Sequence, residues 1–103
     1  RALRFIREHA REPIDIADVA RVAAMSRRGL HLAFQQHVGR PPGEEIRRVR
    51  LEAAKRQLTE TADKIETIGL DCGYQSLNSF CVAFKQATGM PPGEYRRQVT
   101  GVA

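Results

Sequence analysis

The chain has 103 residues, the length of one small domain, and only two cysteines, Cys72 and Cys81, which lack the paired spacing of a zinc site. So few cysteines suit a reducing compartment, and no apolar stretch approaches the roughly 18 residues of a membrane span, so we expect a cytoplasmic protein without a membrane partner. The net charge is +5 and fourteen of the 17 cationic side chains are Arg, which favours a nucleic acid partner.

The positive charge is concentrated in the first half of the chain. Residues 1–56 hold 13 Lys and Arg against seven acidic residues, a net charge of +6, whereas residues 57–103 hold four against five, a net charge of −1. Attraction to phosphates is therefore expected mainly from the first half. The alternative interpretation is that the arginines only form solvated helix faces.

Three short helices are predicted before residue 40. Apolar residues at helical spacing predict a first helix over residues 2–10 and a second over residues 16–24, with Asp15 as the N-cap of the second. Ser26 is a suitable N-cap for a third helix that runs to about residue 37. The residues of the first two helices that are predicted to face the core are Leu3, Phe5, Ile6, Ala10, Ile16, Val19, Ala20 and Ala23.

One long helix is predicted in the middle of the chain. Gly39 ends the third helix, and Pro41 and Pro42 prevent its continuation while favouring the first turn of the next helix. That helix covers residues 42–60, so no flexible linker joins the two halves. Its predicted packing residues are Ile46, Val49, Ala53, Ala54 and Leu58.

The second half contains signals for three further helices. Asp63 and Glu66 have the spacing of a capping box, and Ser76 is a suitable N-cap for the helix after it. A last helix is predicted to begin at Pro92. These three helices are predicted to end near Cys72, Thr88 and Gln98, and the tail from Val99 to Ala103 is expected to fray.

An internal repeat relates the two halves. Residues 34–47 match residues 84–97 at eight of fourteen positions, and both copies contain the sequence Pro-Pro-Gly-Glu. Ahead of these segments, residues 16–25 match residues 65–74 with looser spacing. Each copy consists of two short helices joined at a tight break, which is the pattern of a helix-turn-helix.

The repeat predicts an all-α fold of two helix-turn-helix subdomains joined by a long linker helix. The predicted boundaries are residues 1–41 for the first subdomain, 42–60 for the linker helix and 61–103 for the second subdomain. In a unit of this kind the second helix buries one face and presents the other to the major groove of DNA.

The two faces of each second helix can be assigned from helical spacing. The residues predicted to face the core are Leu30, Ala33, Phe34 and Val38 in the first copy and Phe80, Ala83, Phe84 and Ala87 in the second. The outward residues, which are the candidate DNA-binding residues, are Arg27, Arg28, His31, Leu32 and Gln35 in the first copy and Leu77, Asn78, Cys81, Val82 and Lys85 in the second.

Several candidates suit a particular contact with a base. Arg28 can bond N7 and O6 of guanine, Asn78 can pair with adenine, and Leu32, Leu77 or Val82 can touch thymine methyl groups. Alternatives remain for both kinds of residue: the arginines can contact phosphates, and the apolar residues can belong to the core or to a protein contact. His31 has no partner at metal-ligand spacing, and neither a metal nor another cofactor is expected.

The second repeat resembles the family-defining segment of the AraC/XylS transcription regulators. The resemblance rests on residues 65–85, IETIGLDCGYQSLNSFCVAFK, and on residues 89–96, GMPPGEYR. Residues 16–39 and the helix at residues 50–58 follow the same family, so the resemblance covers essentially the whole chain. It implies a seven-helix DNA-binding domain of a bacterial regulator, usually C-terminal to a ligand-binding domain. Residues 1–10 and the turn after Cys72 are most similar to the xylose-regulator branch.

The resemblance also bears on the candidate residues. It implies base-contacting positions at Arg27, Arg28, His31, Leu32, Leu77, Asn78, Cys81 and Val82, all of which lie in the outward faces assigned above. Members of the family often carry Arg at the positions of Leu32 and Val82, whereas both residues are apolar here. These two contacts must therefore differ from the usual ones.

Sequence-specific binding to double-stranded DNA is thus the expected function, in the control of transcription. The linker helix is expected to hold the two recognition helices in successive major grooves, about 34 Å apart. Because the two copies differ and follow each other head to tail, one chain should favour an asymmetric site. The chain begins at Arg1 without a Met, which suggests a fragment, and an effector-binding domain is expected elsewhere in the full-length protein.

Two other classes of function stay open. In the first, the apolar outward residues form a docking surface for a protein such as RNA polymerase, and DNA binding is weak and insensitive to sequence. In the second, the domain belongs to a DNA-repair protein that transfers alkyl groups to Cys72 or Cys81. Lys85 is the cation nearest to Cys81 on its own helix, which is little support for an activated thiolate, and no enzyme is expected.

Overall fold

The computed structural model describes residues 1–101, which form seven helices and no strand. The helices are α1 (Ala2–His9), α2 (Ile16–Ala23), α3 (Arg27–His37), α4 (Pro42–Glu60), α5 (Ile65–Asp71), α6 (Leu77–Thr88) and α7 (Pro92–Thr100). The predicted all-α fold is confirmed. The prediction of a frayed tail is wrong for Val99 and Thr100, which continue α7 until Gly101 ends it in a left-handed conformation. The last two positions of the predicted tail, 102 and 103, lie outside the described residues.

The chain divides into two compact units, unit 1 (Arg1–Arg50) and unit 2 (Leu51–Ala103). The division falls within α4. The first part of α4 contributes Ile46 to the core of unit 1, and the second part contributes Ala53, Ala54 and Leu58 to the core of unit 2. The sequence-based division treats residues 42–60 as a separate linker, whereas this helix supplies core residues to each unit.

The core of unit 1 is mainly aliphatic. Ile6, Val19 and Leu30 come from three successive helices and are completely buried, and Phe34 and Ile46 complete the cluster. Local signals fix where these helices begin. Asp15 begins α2 with a capping box, since its side chain accepts a hydrogen bond from the Asp18 N–H and its own N–H donates to the Asp18 carboxylate.

The core of unit 2 is built around aromatic rings. Phe80 packs against Tyr74 and Phe84, with centroid distances of 4.9 and 5.7 Å, and Phe84 packs edge to face on Tyr95 at 5.2 Å. The prediction that Ala87 also faces the core is wrong. It is exposed, because the core contacts of α6 end at Phe84 and the last turn lies beyond them.

The predicted capping box at the start of α5 is also wrong. The helix begins one residue later than a cap at Asp63 requires, so Lys64 occupies the N-cap position and no side chain bonds the first turn. The Asp63 carboxylate instead accepts a hydrogen bond from Gln57 Nε2 at 3.2 Å. This carboxylate therefore joins α4 to the loop after it and does not stabilise α5.

Two arginines bind the ends of helices in equivalent ways. In unit 1, Arg50 donates from Nε to the Ala10 carbonyl at 2.6 Å and from Nη2 to the carbonyls of Glu12 and Ile14. In unit 2, Arg96 donates to the carbonyls of Leu58 and Thr61 at 3.1 and 3.2 Å. Each arginine lies on the last helix of its unit and donates to a carbonyl at the end of the first, Ala10 or Leu58, where a helix leaves carbonyls without an internal partner. The other acceptors lie in the loop that follows that helix.

Candidate nucleic-acid interface

The turn before each recognition helix has the same hydrogen bonds in both units. The N–H of Met25 donates to the Ala20 carbonyl at 2.9 Å, and the N–H of Tyr74 donates to the Gly69 carbonyl at 3.0 Å. A second bond in each turn joins the residue before the donor to the carbonyl of Arg21 or Leu70. These are the two bonds of a Schellman motif, so α2 and α5 end in the same way.

The Schellman motif requires a left-handed residue, which differs between the units. Gly73 adopts a φ of 103° without steric cost, whereas Ala24 adopts a φ of 56° in the equivalent position of unit 1. The turn geometry is therefore maintained in unit 1 even though the residue is not glycine. Because the hydrogen bonds and the left-handed residue are shared, the chain leaves α2 and α5 in the same direction.

Each recognition helix, α3 in unit 1 and α6 in unit 2, begins at a capping serine. Ser26 Oγ accepts a hydrogen bond from the Gly29 N–H at 3.0 Å, as predicted for the N-cap of α3. Ser76 Oγ accepts from the Ser79 N–H at 3.1 Å, and Ser79 Oγ accepts in return from the Ser76 N–H. Both caps fix the first turn, where the candidate base-contacting residues begin.

The inward face of each recognition helix holds it against its own unit. Leu30 and Phe34 are buried in unit 1, and Phe80 and Phe84 are buried at the equivalent positions of unit 2. A buried stripe of this kind fixes the rotation of the helix about its axis, so the opposite stripe is fixed as well.

The ten predicted DNA-binding residues form five equivalent pairs that are each 50 positions apart. The pairs are Arg27 and Leu77, Arg28 and Asn78, His31 and Cys81, Leu32 and Val82, and Gln35 and Lys85. Nine of the ten are exposed and Cys81 is half-buried. Each unit thus brings five candidate residues together on one face of its recognition helix. That they contact DNA stays a prediction.

The two faces differ in charge. Arg27 and Arg28 lie in the first turn of α3, which contains no acidic residue, and within residues 1–101 neither guanidinium forms an ion pair. In α6 the first turn is uncharged, and Lys85 is the cation on its outward face. Unit 1 has eleven Lys and Arg against six acidic residues, a net charge of +5, whereas unit 2 has six of each.

Several arginines of unit 1 are engaged within the protein, which the sequence does not reveal. Arg48 Nε donates to the buried Glu45 carboxylate at 2.6 Å, and Arg21 donates to Asp18 at 2.8 Å. Arg50 donates to three carbonyls. The acceptors of Arg50 lie 36 to 40 residues away in sequence, so no local pattern identifies them. The net charge of unit 1 therefore overstates the number of arginines that are available to a ligand.

The cysteines have different surroundings. Cys72 is completely buried, and its thiol donates to Gln57 Oε1 at 3.7 Å, whereas Cys81 is half-buried on the outward face of α6. In the described part of the chain, no three His, Cys, Asp or Glu residues are grouped so that they could hold a metal ion. No described helix is both long and apolar enough to cross a membrane.

Two similar units, each presenting the second helix of a helix-turn-helix, define a tandem helix-turn-helix domain. Residues 19–98 match the family model described as a helix-turn-helix domain. An HTH-type transcriptional regulator of Haemophilus influenzae is 35% identical over 85 residues, which are 82% of this chain and 28% of that protein.

Solved structures show the same similarity. The xylose-binding transcription activator XylR is 35% identical with a TM-score of 0.81, over 94% of this chain and 26% of that one. The DNA-binding domain of AdpA, a global transcriptional factor solved in complex with a target DNA, is 25% identical with a TM-score of 0.89, over 99% of this chain and 95% of that one.

The chain belongs to the helix-turn-helix family of AraC/XylS-type transcriptional regulators, as the repeat and its motifs predict. The similarity to XylR agrees with the predicted likeness to the xylose-regulator branch. The chain spans about a quarter of the length of the Haemophilus regulator and of XylR.

Proposed function

We propose that this chain is the DNA-binding part of a bacterial transcription regulator and that each unit inserts its recognition helix into a major groove of double-stranded DNA. The observation that carries the proposal is the repetition of one five-residue outward face on α3 and α6, behind turns that share the same two hydrogen bonds. The target DNA held by the AdpA domain, which resembles this chain over almost its full length, supports the same conclusion.

The outward residues divide into contacts with bases and contacts with phosphates. Arg28 bonds N7 and O6 of a guanine, and Asn78 pairs with an adenine. Arg27, Gln35 and Lys85 donate to phosphates and fix the position of each helix. The remaining members of the faces are His31, Leu32, Leu77, Cys81 and Val82.

The differences between the two faces imply an asymmetric operator. An arginine pair in unit 1 corresponds to Leu77 and Asn78 in unit 2, so the same base sequence cannot satisfy both helices. One chain then binds two unlike boxes in a fixed order. We further propose that the full-length regulator acts in the cytoplasm and needs no cofactor. An effector-binding domain elsewhere in the full-length protein controls it, and RNA polymerase is its partner at the promoter.

Selection from a random duplex pool tests the proposal. The chain should enrich one sequence with two unlike boxes, and it should bind that sequence at least tenfold more tightly than a scrambled duplex at the same salt concentration. Enrichment of a perfect inverted repeat bound by two chains would show that one unit does not contact bases. No enrichment at all would favour a protein-docking function for the apolar outward residues.

The two cysteines allow a direct footprint of the second unit. Cys81 lies on the proposed interface, whereas Cys72 is buried in the core and serves as an internal control. The selected duplex should slow the reaction of Cys81 with a maleimide severalfold, while a scrambled duplex should slow it less. Incubation with a DNA alkyl donor should leave both thiols unmodified. Transfer of an alkyl group to either cysteine would instead support a repair enzyme.

A further inference from the structure

The recognition helices share one unusual feature, a large and exposed apolar side chain at the same position of each outward face. Leu32 in α3 and Val82 in α6 occupy equivalent positions of the repeat, and their exposed fractions are 48% and 49%. Single exposed apolar residues are common on protein surfaces and need no explanation. The recurrence of one at the equivalent position of both faces calls for a common cause.

The chemistry of the major groove supplies that cause. An aliphatic side chain neither donates nor accepts a hydrogen bond, so opposite a phosphate or a polar base edge it would only remove water from that group. Among the groups that base pairs present in the major groove, the C5-methyl of thymine is the apolar one. An exposed aliphatic residue on the outward face of a groove-facing helix therefore fits a thymine better than any other base.

We propose that Leu32 and Val82 each pack against the C5-methyl group of a thymine, so that each box of the operator contains one thymine that is recognised by its methyl group. This inference rests on the proposed function. It also predicts a difference between the boxes, because Leu77 adds a second exposed apolar residue to the face of α6. With Asn78 beside it, the box bound by unit 2 is the richer in T·A pairs.

Replacement of thymine by deoxyuridine in the selected duplex tests the inference. Deoxyuridine lacks the methyl group but keeps the base pair and every hydrogen-bonding group. Thymines are replaced one at a time, and the dissociation constant is measured for each duplex at one salt concentration. One position in each box should bind about fourfold more weakly, the factor that corresponds to about 0.8 kcal/mol for one buried CH₂-sized group.

Protein variants then assign each methyl group to its residue. Leu32→Gln should abolish the deoxyuridine effect in one box only, and Val82→Gln should abolish it in the other. Glutamine is a good helix former, and both sites are exposed, so neither variant should unfold the domain. Leu70→Gln is the matched control, because Leu70 is as exposed, at 51%, but lies on α5 and outside both recognition helices. It should leave every deoxyuridine effect unchanged.

The outcomes separate this inference from the proposed function. If the chain prefers the selected duplex to a scrambled one, but no deoxyuridine weakens binding, the methyl contacts do not exist and the proposed function stands. If the deoxyuridine effects persist in Leu32→Gln and Val82→Gln, other residues contact the methyl groups and the inference is wrong. A chain without preference for the selected duplex would overturn both.

Discussion

Gly69 in α5 packs so closely against the ring of Phe80 in α6 that a methyl group added to Gly69 would lie 2.6 Å from Phe80 Cδ2 and 2.9 Å from Phe80 Cβ. In unit 1 the equivalent residues of the repeat are Ala20 and Leu30, both buried. Unit 2 therefore combines the smaller of the two helix residues, Gly, with the larger core side chain, Phe, whereas unit 1 combines Ala with Leu. The two units fill the space between their helices with different residue pairs.

Gly69→Ala should consequently destabilise unit 2. Alanine favours a helix over glycine by up to about 1 kcal/mol, but overpacking a buried contact typically costs about 1 to 3 kcal/mol. The overpacking dominates here, because Cβ and Cγ of Phe80 also lie within 3 Å of the new methyl group and a change of ring rotamer does not move Cβ. We expect a net loss of about 1 to 2 kcal/mol in the free energy of unfolding.

The control is the double variant Gly69→Ala with Phe80→Leu, which gives unit 2 the Ala and Leu pair of unit 1. Its loss of stability should be smaller than the sum of the two single losses by at least about 0.5 kcal/mol. Both tyrosines of the chain, Tyr74 and Tyr95, belong to unit 2, so tyrosine fluorescence during urea unfolding follows that unit. Strictly additive losses would show that the contact between Gly69 and Phe80 is not the cause.

Local signals explain which parts of the fold the sequence predicts correctly. The start of α3 at Ser26 and the end of the same helix before Gly39 depend on capping and on a left-handed glycine, both of which are visible in a few residues. The outward faces of α3 and α6 follow from helical spacing together with two bulky core residues in each helix. All ten candidate residues lie on the predicted faces for this reason, although their contacts with DNA stay a prediction.

Contacts between different helices and loops explain what the sequence does not predict. Arg50 resembles the other arginines of its helix, and its role depends on carbonyls that the fold brings to it from residues 10–14. Asp63 has the spacing of a capping residue, but Gln57 engages its carboxylate. The close approach of Gly69 and Phe80 depends on how α5 crosses α6. None of these relationships has a local signature.

The capping box of α2 should respond to acid. The backbone N–H of Asp15 donates to the Asp18 carboxylate, which is the main reason that the pKa of Asp18 lies below its usual value of 3.8, and the Arg21 guanidinium lowers it further. A carboxylate whose pKa is lowered by folding stabilises the folded state above its unfolded pKa. That contribution is present at neutral pH and is lost as the pH falls below 3.8 through the folded pKa.

The capping box of α6 provides a comparison within the same molecule, because Ser76 and Ser79 do not titrate. As the pH falls from 5 to below 3.8, amide protection in the first turn of α2 should decrease, while that of α6 should not change in parallel. Asp18→Ser places at the third helical position the residue that α6 has there, Ser79, and should reduce the response of α2. An NMR titration of the Asp18 carboxyl group measures its pKa directly, and a value at or above 3.8 would contradict the prediction.

Binding to DNA should depend steeply on salt through unit 1. Each phosphate that a cation neutralises lowers the logarithm of affinity by about 0.9 per logarithmic unit of salt concentration. Arg27→Gln should reduce this slope by about 0.9 if Arg27 contacts a phosphate. Arg4→Gln is the control, because Arg4 is engaged with Glu8 at 3.0 Å in α1 and should leave the slope unchanged. A slope near zero in the unmodified chain would contradict DNA binding itself.

The last prediction concerns the unequal contributions of the two recognition helices. Unit 1 has a net charge of +5 and unit 2 has none, and Arg28 is replaced by the neutral Asn78 at the equivalent position. Arg28→Ala removes both a cation and a bidentate bond to guanine, so it should weaken binding to the selected duplex by about 1 to 3 kcal/mol. Asn78→Ala removes only a neutral pair of hydrogen bonds, so it should cost less and relax the preference at one position of its box.

Affinities of both variants for the selected and the scrambled duplex, at one salt concentration, distinguish the roles of Arg28 and Asn78. If Arg28 contacts a base, Arg28→Ala should weaken binding to the selected duplex more than to the scrambled one, whereas a phosphate contact should weaken both equally. Both residues are exposed, so loss of folding does not account for either result. If Asn78→Ala is the more damaging variant and Arg28→Ala has no effect, unit 2 dominates recognition, and the inference from the distribution of charge is wrong.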